Sequence, residues 1–473
     1  MEYEIVIGLE IHSELDTHTK IFCNCSTKFG AEVNTQTCPV CLGLPGVLPV
    51  LNKKVVEYAV KAGLALDCDI AHFSKMDRKN YFYPDLPKAY QISQFDLPLC
   101  KEGKVEIQGE GFHKDIGITR IHIEEDAGKL IHDTGEGTLA DNNRCGIPLI
   151  EIVSEPDMRS AEEARVFAEK IKTILEYTEV SDCKMQEGSL RFDVNLSVRP
   201  MGSKAYGTRT EMKNLNSFRS LVRAVDSESK RQIKEIEKGN IIIQETRKWD
   251  DDKGMSYSLR SKEEAHDYRY FPDPDLVPVI LDDTYIGNIK SGMPLLPWKR
   301  KKKYMEEWNL APYDAEILTV SKQIAVFFEE TVALCNDAKS ACNWLMGDIS
   351  ALLNEASMDI SQVKFTPKDL AEMINLINKN TISGSIGKKV LKEMFDTGND
   401  PNTIVQEQGL SQMNNEDELK DMIIKILQEN PKSVEDLKNG KEKAIGFLVG
   451  QVMKATKGKA NPQMVNQIIK ENI

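Results

Sequence analysis

No stretch of this 473-residue chain approaches the roughly 18 uninterrupted apolar residues that a membrane span needs. The opening segment, MEYEIVIGLEIHSEL, starts a strand pattern at once and lacks the basic stretch and apolar run of a secretory leader. The expectation is a cytoplasmic protein with no membrane contact. Ten cysteines in that setting speak for reduced thiols or metal ligands rather than for a disulfide framework. Phosphate-cradling signatures are also missing. There is no GxxxxGK[ST] and no GxGxxG behind a strand, which excludes the two commonest nucleotide-binding folds. A serine-centred nucleophile elbow is absent as well.

What is present is an acidic body with basic patches. The net charge is −13, with 61 Lys and Arg against 74 Asp and Glu. That balance argues against general adhesion to nucleic acid. Residues 441–473 nevertheless carry six lysines against two glutamates, a net of +4, and residues 299–303 are five basic residues in a row. Such patches fit a specific RNA contact.

The length suggests about three domains. Up to about residue 290 the chain mixes strand patterns with a few helices. Tyr3, Ile5, Ile7, Leu9 and Ile11 alternate with Glu4, Gly8, Glu10, His12 and Glu14; Leu190, Phe192, Val194, Leu196 and Val198 alternate with Arg191, Asp193, Asn195, Ser197 and Arg199. The second pattern and residues 208–214 flank a Pro/Gly-containing loop, which predicts a long-looped antiparallel hairpin. Ser160-Ala-Glu-Glu163 reads as a capping box ahead of a helical stripe of Phe167, Ile171, Ile174 and Leu175. Residues 291–298 read as a linker. Beyond it the periodicity is helical, with starts at Thr366-Pro367 and Asp400-Pro401. The expected class is α+β: a mixed, largely antiparallel sheet domain at 1–292, then two all-α domains at 293–405 and 406–473.

Two constellations carry chemistry. Cys23-x-Cys25 and Cys38-x2-Cys41 stand 12 residues apart, and four thiolates close a tetrahedral structural Zn²⁺ site with no open position. Second, Glu151 lies in an otherwise apolar run, so it is expected to be buried, where an unpaired charge is costly. With Glu10, His12, Glu125, Asp126, Asp193, Asn195 and Glu211 it supplies the hard ligands that hold Mg²⁺ together with substrate phosphate. Around Tyr81 and Tyr83 cations interleave with aromatics, so that Lys79 or Lys88 meets a phosphate and a tyrosine stacks a base. Arg209, Glu211 and Lys213 share one strand face near Asn214. Residues 267–275 form either a packed loop or a substrate rim.

At this point the chain resembles a known family. Gly8-Leu-Glu-Ile-His12, Cys38-Pro-Val-Cys-Leu-Gly-Leu-Pro-Gly46, Asp77-Arg-Lys-Asn-Tyr-Phe-Tyr-Pro-Asp85 and Glu124-Glu-Asp-Ala-Gly-Lys129 resemble the B subunit of the tRNA-dependent amidotransferase. So do residues 143–157, 188–195 and 209–218, and the tail Gly450-Gln-Val-Met-Lys-Ala-Thr-Lys-Gly-Lys-Ala-Asn-Pro462. The resemblance implies a heterotrimer with an amidase-type glutaminase, the A subunit, and a small wrapping C subunit. It also implies a cradle domain, a helical domain and a tRNA-gripping tail, with Lys454, Lys457 and Lys459 as candidate contacts. The activity implied is ATP-dependent phosphorylation of the side-chain carboxylate of Glu-tRNA(Gln) or Asp-tRNA(Asn), then amidation by ammonia channelled from the glutaminase. On that reading Glu10, His12, Glu125 and Glu151, with Asp193, form the Mg²⁺ site. Lys79 is a phosphate or channel residue and Tyr81 lines it. Lys88, Asn195, Glu211, Lys213 and Asn214 meet substrate or nucleotide. Two other readings compete: a free-standing carboxylate–amine ligase, which needs no RNA-binding tail, and a non-catalytic RNA-binding scaffold, which leaves Glu151 unexplained.

Overall fold

Burial of alternate residues turns the N-terminal pattern into strand β1, Tyr3–Glu14. Ile7, Leu9 and Ile11 are buried, while Glu10, His12 and Glu14 stay partly open. The computed structural model describes residues 2–132, 135, 137–261, 268–411, 416–438, 443–456, 460 and 462–472. It divides into two units, Met1–Pro294 and Leu295–Ile473.

The first unit is built on a nine-stranded sheet. After β1 come β2 (Asp69–Ile70), β3 (Cys100–Gly109), β4 (Phe112–Glu125), β5 (Pro148–Ser154), β6 (Leu190–Pro200), β7 (Thr210–Leu215), β8 (Glu245–Asp250) and β9 (Met255–Ser261). Their order is β9-β8-β7-β6-β1-β5-β4-β3-β2. All neighbours run antiparallel except β7 and β8. The expected hairpin is the β6–β7 pair. Three helices pack on one face: α1 (Lys53–Ala65), α2 (Ala161–Tyr177) and α3 (Phe218–Glu237). Phe167, Ile171, Ile174 and Leu175 of α2 are all at most 1% exposed, each worth about 1.5–3 kcal/mol of burial. Ser160 caps α2 by accepting from the Glu163 amide at 3.1 Å. The Glu163 carboxylate turns to the Arg159 amide, one residue short of a full capping box.

With the apolar side chains claimed by the helices, the polar side chains of β1, β4, β5, β6 and β7 face the other way. A small sheet adds a wall there. The segment expected as a basic loop is partly a strand, Asp77–Asn80, paired with Tyr90–Ser93 and with Phe271–Pro272. Residues 262–267, which include Asp267 of the expected rim, lie outside the described residues.

The named elements of the second unit are all helices, and no described helix is long and apolar enough to cross a membrane. Thr366 and Asp369 form a complete capping box on the helix Pro367–Asn378, and Asp400 caps Pro401–Glu407. The run 299–303 is not one surface patch. It lies in the helix Pro297–Glu307, where Arg300 is 5% exposed, donating to the Leu295 carbonyl at 2.9 Å and pairing with Glu329 at 3.1 Å. Two separate apolar clusters hold this unit, one from Tyr304 to Val405 and one from Leu419 to Ile469.

Candidate active site

The open face of the sheet forms the floor of a cleft of about 1110 Å³. Strand register decides what meets there. His12 lies opposite Glu151, and Glu151 opposite His122, so β1, β5 and β4 deliver a row of His, Glu, His. One turn of the pleat away, Glu10 lies opposite Asp193, and Asn195 opposite Glu211. Two groups of candidate metal ligands result. His12, Glu124 and Glu151 bring one ligand atom each within 4.8 Å of one another, and so do Glu10, Asp193 and Glu211.

In the first group His12 Nε2 is 3.4 Å from Glu151 and 3.9 Å from Glu124. His122 Nε2 is 3.4 and 3.6 Å from the same two acids. Burial opposes a proton on either imidazole, but the carboxylates win: His12 is held above its ordinary value and His122 rises to about 9, chiefly through Glu151. Burial likewise opposes ionisation of Glu124 and Glu151, yet His122 holds Glu124, and His122 with His12 holds Glu151, below the usual carboxylate range. The donor set of carboxylates around a histidine fits a hard divalent cation that keeps positions for water and phosphate. In the second group Asn195 donates to Glu10 at 2.8 Å and Thr246 donates to Glu211 at 2.9 Å. Lys213 binds Asp193 and stands 3.2 Å from Glu211. Asn214 adopts φ +69° where the β6–β7 register shifts, and its amide anchors the Trp249 carbonyl at 3.0 Å. The bulge turns Lys213 toward the acids.

Glu125 differs from expectation. Successive strand residues face opposite sides, so Glu124 enters the cleft and Glu125 leaves it. Its carboxylate accepts from Lys88 at 2.6 Å and from the Ile92 amide at 2.8 Å. Both residues line a second, smaller cavity of about 200 Å³ beside Cys41 and Gly43. Lys88, expected to meet a phosphate, is therefore committed to Glu125. Gly43, at φ +66°, allows this path, since a Cβ there would fall 2.2 Å from Lys88 Cγ. Lys79 does enter the cleft, its ammonium 4.8 Å from the Tyr268 ring centre and 5.7 Å from that of Tyr81. Burial, then Glu124, pushes the Tyr81 phenol up.

Sequence reasoning missed His122, Glu124 and Arg120, which line the cleft, while Tyr268 and Tyr270, also in its lining, fall in the 267–275 segment read as either a packed loop or a substrate rim. The signal was available: Ile121 and Ile123 alternate with His122 and Glu124, the same pattern that marks β1. Asp126 accepts from Arg191 at 2.8 Å and sits 3.7 Å from Arg144. Burial would raise it, but the two guanidiniums hold it at about 2, while burial and Asp126 lift Glu14 to about 8.

The sulfurs of Cys23, Cys25, Cys38 and Cys41 also lie within 4.8 Å of one another. Cys38 and Cys41 stand 3.9 Å apart, close to the ~3.8 Å edge of a Zn–S tetrahedron with ~2.3 Å bonds. A hydrogen bond from Cys23 draws the Cys41 thiol down to about 4, and the fully buried Lys20 sets its ammonium 3.7 Å from that sulfur. The quartet could therefore hold a metal ion such as zinc. Of the expected RNA contacts, Lys454 is exposed on the helix Lys443–Ala455, and Lys457 and Lys459 lie outside the described residues.

A ligand-rich cleft on the open face of a helix-backed sheet defines a catalytic domain, and residues 5–287 match the family model described as the GatB/GatE catalytic domain. Residues 326–473 match a second model, the GatB domain. The aspartyl/glutamyl-tRNA(Asn/Gln) amidotransferase B subunit of Thermoanaerobacter pseudethanolicus is 62% identical over 473 residues, spanning 100% of both chains. Its namesakes in Caldicellulosiruptor bescii and Clostridium tetani are 61% and 56% identical, each over 100% of this chain and 99% of the relative. The chain belongs to the aspartyl/glutamyl-tRNA(Asn/Gln) amidotransferase B-subunit family. The relatives' name makes each of them one subunit of a larger enzyme.

Proposed function

We propose that this chain is the carboxylate-activating subunit of a cytoplasmic tRNA-dependent amidotransferase. With ATP and Mg²⁺ it phosphorylates the side-chain carboxylate of Glu-tRNA(Gln), Asp-tRNA(Asn) or both. Ammonia from an amidase-type A subunit, held with a small C subunit, then displaces phosphate to give the amide. The observation that carries this reading is the pair of ligand groups facing one cleft in a chain of this family. Two anions, a carboxylate and a polyphosphate, must be brought together, and that task is positioning and charge neutralisation.

His12, Glu124 and Glu151 would hold one cation, and Glu10, Asp193 and Glu211 a second. Bound Mg²⁺ would neutralise phosphate charge. Lys79 offers a cation to phosphate from the aromatic wall of Tyr81 and Tyr268. Asn195 and Thr246 orient Glu10 and Glu211, and Asn214 sets the bulge that aims Lys213. The Lys88–Glu125 pair works outside the cleft, joining the segment that packs on Gly43 of the thiol loop to β4. The cysteine quartet holds one structural Zn²⁺, so elemental analysis should find about one zinc per chain, lost in a Cys38→Ser/Cys41→Ser variant.

The deciding experiment co-expresses the chain with its partner subunits and supplies ATP, Mg²⁺ and glutamine. Product on Glu-tRNA(Gln) or Asp-tRNA(Asn), with none on free glutamate, supports the proposal and settles specificity. Product on free glutamate alone would make the chain a small-molecule ligase, and tRNA binding without ATP use would leave a scaffold.

A further inference from the structure

Of the cations that line the cleft, Arg209 is exposed, and the others fall into two kinds. Arg191 and Arg144 are held by Asp126, and Lys213 by Asp193 and Glu211. Arg120 is of the other kind. It projects from β4 into the cleft, two and four residues before His122 and Glu124 and so on the same strand face. It is only half-buried, and among the described residues no hydrogen bond or ion pair engages its guanidinium. Lys79 likewise has no anionic partner within ion-pairing distance there; it rests on aromatic faces. An aromatic wall links the two positions. Lys79 lies over Tyr268, Tyr268 meets Tyr270 edge-on at 6.1 Å, and Tyr270 stacks on Phe95 at 4.4 Å while feeling the charge of Arg120.

A half-buried guanidinium left without a counter-ion in a cleft lined by carboxylates is an unfilled anion subsite. We propose that Arg120, with Lys79, is the polyphosphate-binding subsite of the cleft, Arg120 gripping the phosphoryl group that is transferred. This rests on the phosphoryl-transfer reading above. In that step the substrate carboxylate oxygen bonds to the terminal phosphorus of ATP as the phosphorus–oxygen bond to ADP breaks, and ADP leaves with the electron pair. Charge spreads over three equatorial phosphoryl oxygens, and the Glu124–Glu151 side of the cleft repels them. Arg120 supplies a planar fork of donors on the strand that carries Glu124, whereas Arg144, Arg191 and Lys213 are already paired with carboxylates.

The test compares the full-length chain, in its assembled complex, as wild type, Arg120→Gln, Arg120→Lys and Lys104→Gln. Lys104 pairs with Asp115 on the exposed part of β3 and serves as the control. Calorimetry with inorganic tripolyphosphate and Mg²⁺ should show binding weakened about ten- to a hundredfold in Arg120→Gln, the range of one charge-assisted contact. Arg120→Lys should recover part of it, because the charge returns without the fork, and Lys104→Gln should match wild type. The KM for ATP in the tRNA-dependent reaction should rise in the same order. Tripolyphosphate binding in Arg120→Gln equal to wild type, with a folded protein by circular dichroism, overturns the assignment. Arg120-dependent binding in a complex that never consumes ATP would sustain the subsite and overturn the phosphoryl-transfer reading instead.

Discussion

Adjacent residues on a strand share a backbone and nothing else, as Glu124 and Glu125 demonstrate. Glu124 sits 3.9 Å from His12 and accepts from Ser93 at 3.2 Å inside the cleft. Glu125 is sealed outside the cleft with Lys88, their side chains 5% and 12% exposed. The same substitution should therefore fail in two ways. Glu124→Gln removes a cleft carboxylate and should cut ATP-dependent activation of the aminoacyl-tRNA by about 10²–10³-fold with little change in melting temperature. Glu125→Gln leaves Lys88 charged and buried without its partner, a loss of about 3–5 kcal/mol in stability. Thermal denaturation beside a single-turnover phosphorylation assay separates them. If Glu125→Gln melts like wild type while Glu124→Gln unfolds, the facing of the two acids is reversed.

At the scale of elements, one carboxylate fastens a helix to three strands. Glu228 of α3, with no side-chain exposure, accepts from Thr210 of β7 at 2.8 Å and from Gln232 at 3.0 Å. Arg231 binds it through two nitrogens at 2.8 and 2.6 Å, and Ser256 of β9 and Arg247 of β8 lie at 3.4 and 3.5 Å. Burial alone would raise this carboxyl, but Arg231 leads the contacts that hold it below the ordinary range. A depressed native value means that the stabilisation is complete above the unfolded pKa of about 4.3 and is lost as pH falls through the lower native one. Glu228→Gln should cost about 2–3 kcal/mol at pH 7, less than a fully buried pair because Arg231 is 31% exposed, and should flatten this part of the acid-unfolding curve. Urea titrations at pH 7 and below 4 check both; an unchanged pH slope would show that the pair contributes nothing. None of this network was legible in the sequence, where Glu228 is one acid on an amphipathic helix. What was legible rests on period. The alternation of β1 and β6 placed Glu10, His12, Asp193 and Asn195 on one face because a buried opposite face enforces it. The same rule applied to residues 121–126 would have chosen Glu124 over Glu125. Arg300 could not be told from its lysine neighbours, because only the fold puts Glu329 beside it.

For the whole molecule, charge and core organisation make separable demands. The acidic body carries −13 overall, so a polyanion must be met by local sign rather than by the mean field. The basic 441–473 region is where that sign changes, and the helices it shares with residues from 419 onward have their own apolar cluster. Ile404 and Val405 are buried in the preceding cluster and Leu410 packs against it, so a cut near 405 would expose the wrong core. Truncation after Ser411 keeps those residues and removes the Leu419–Ile469 cluster whole. We expect the shortened chain to keep the melting transition of the sheet unit and to phosphorylate saturating misacylated tRNA at a similar maximal rate, with a raised KM for tRNA. Its binding should also depend less steeply on salt, by about 0.7–0.9 in the log–log slope for each phosphate it no longer neutralises. Lys454, Lys457 and Lys459 together would account for a change of about 2–3 on that scale. Filter binding of tRNA across a salt series decides the matter. A truncated chain with the full slope and affinity would show that the tail neutralises no phosphate, and the tRNA would then be held by the sheet unit and the partner subunits.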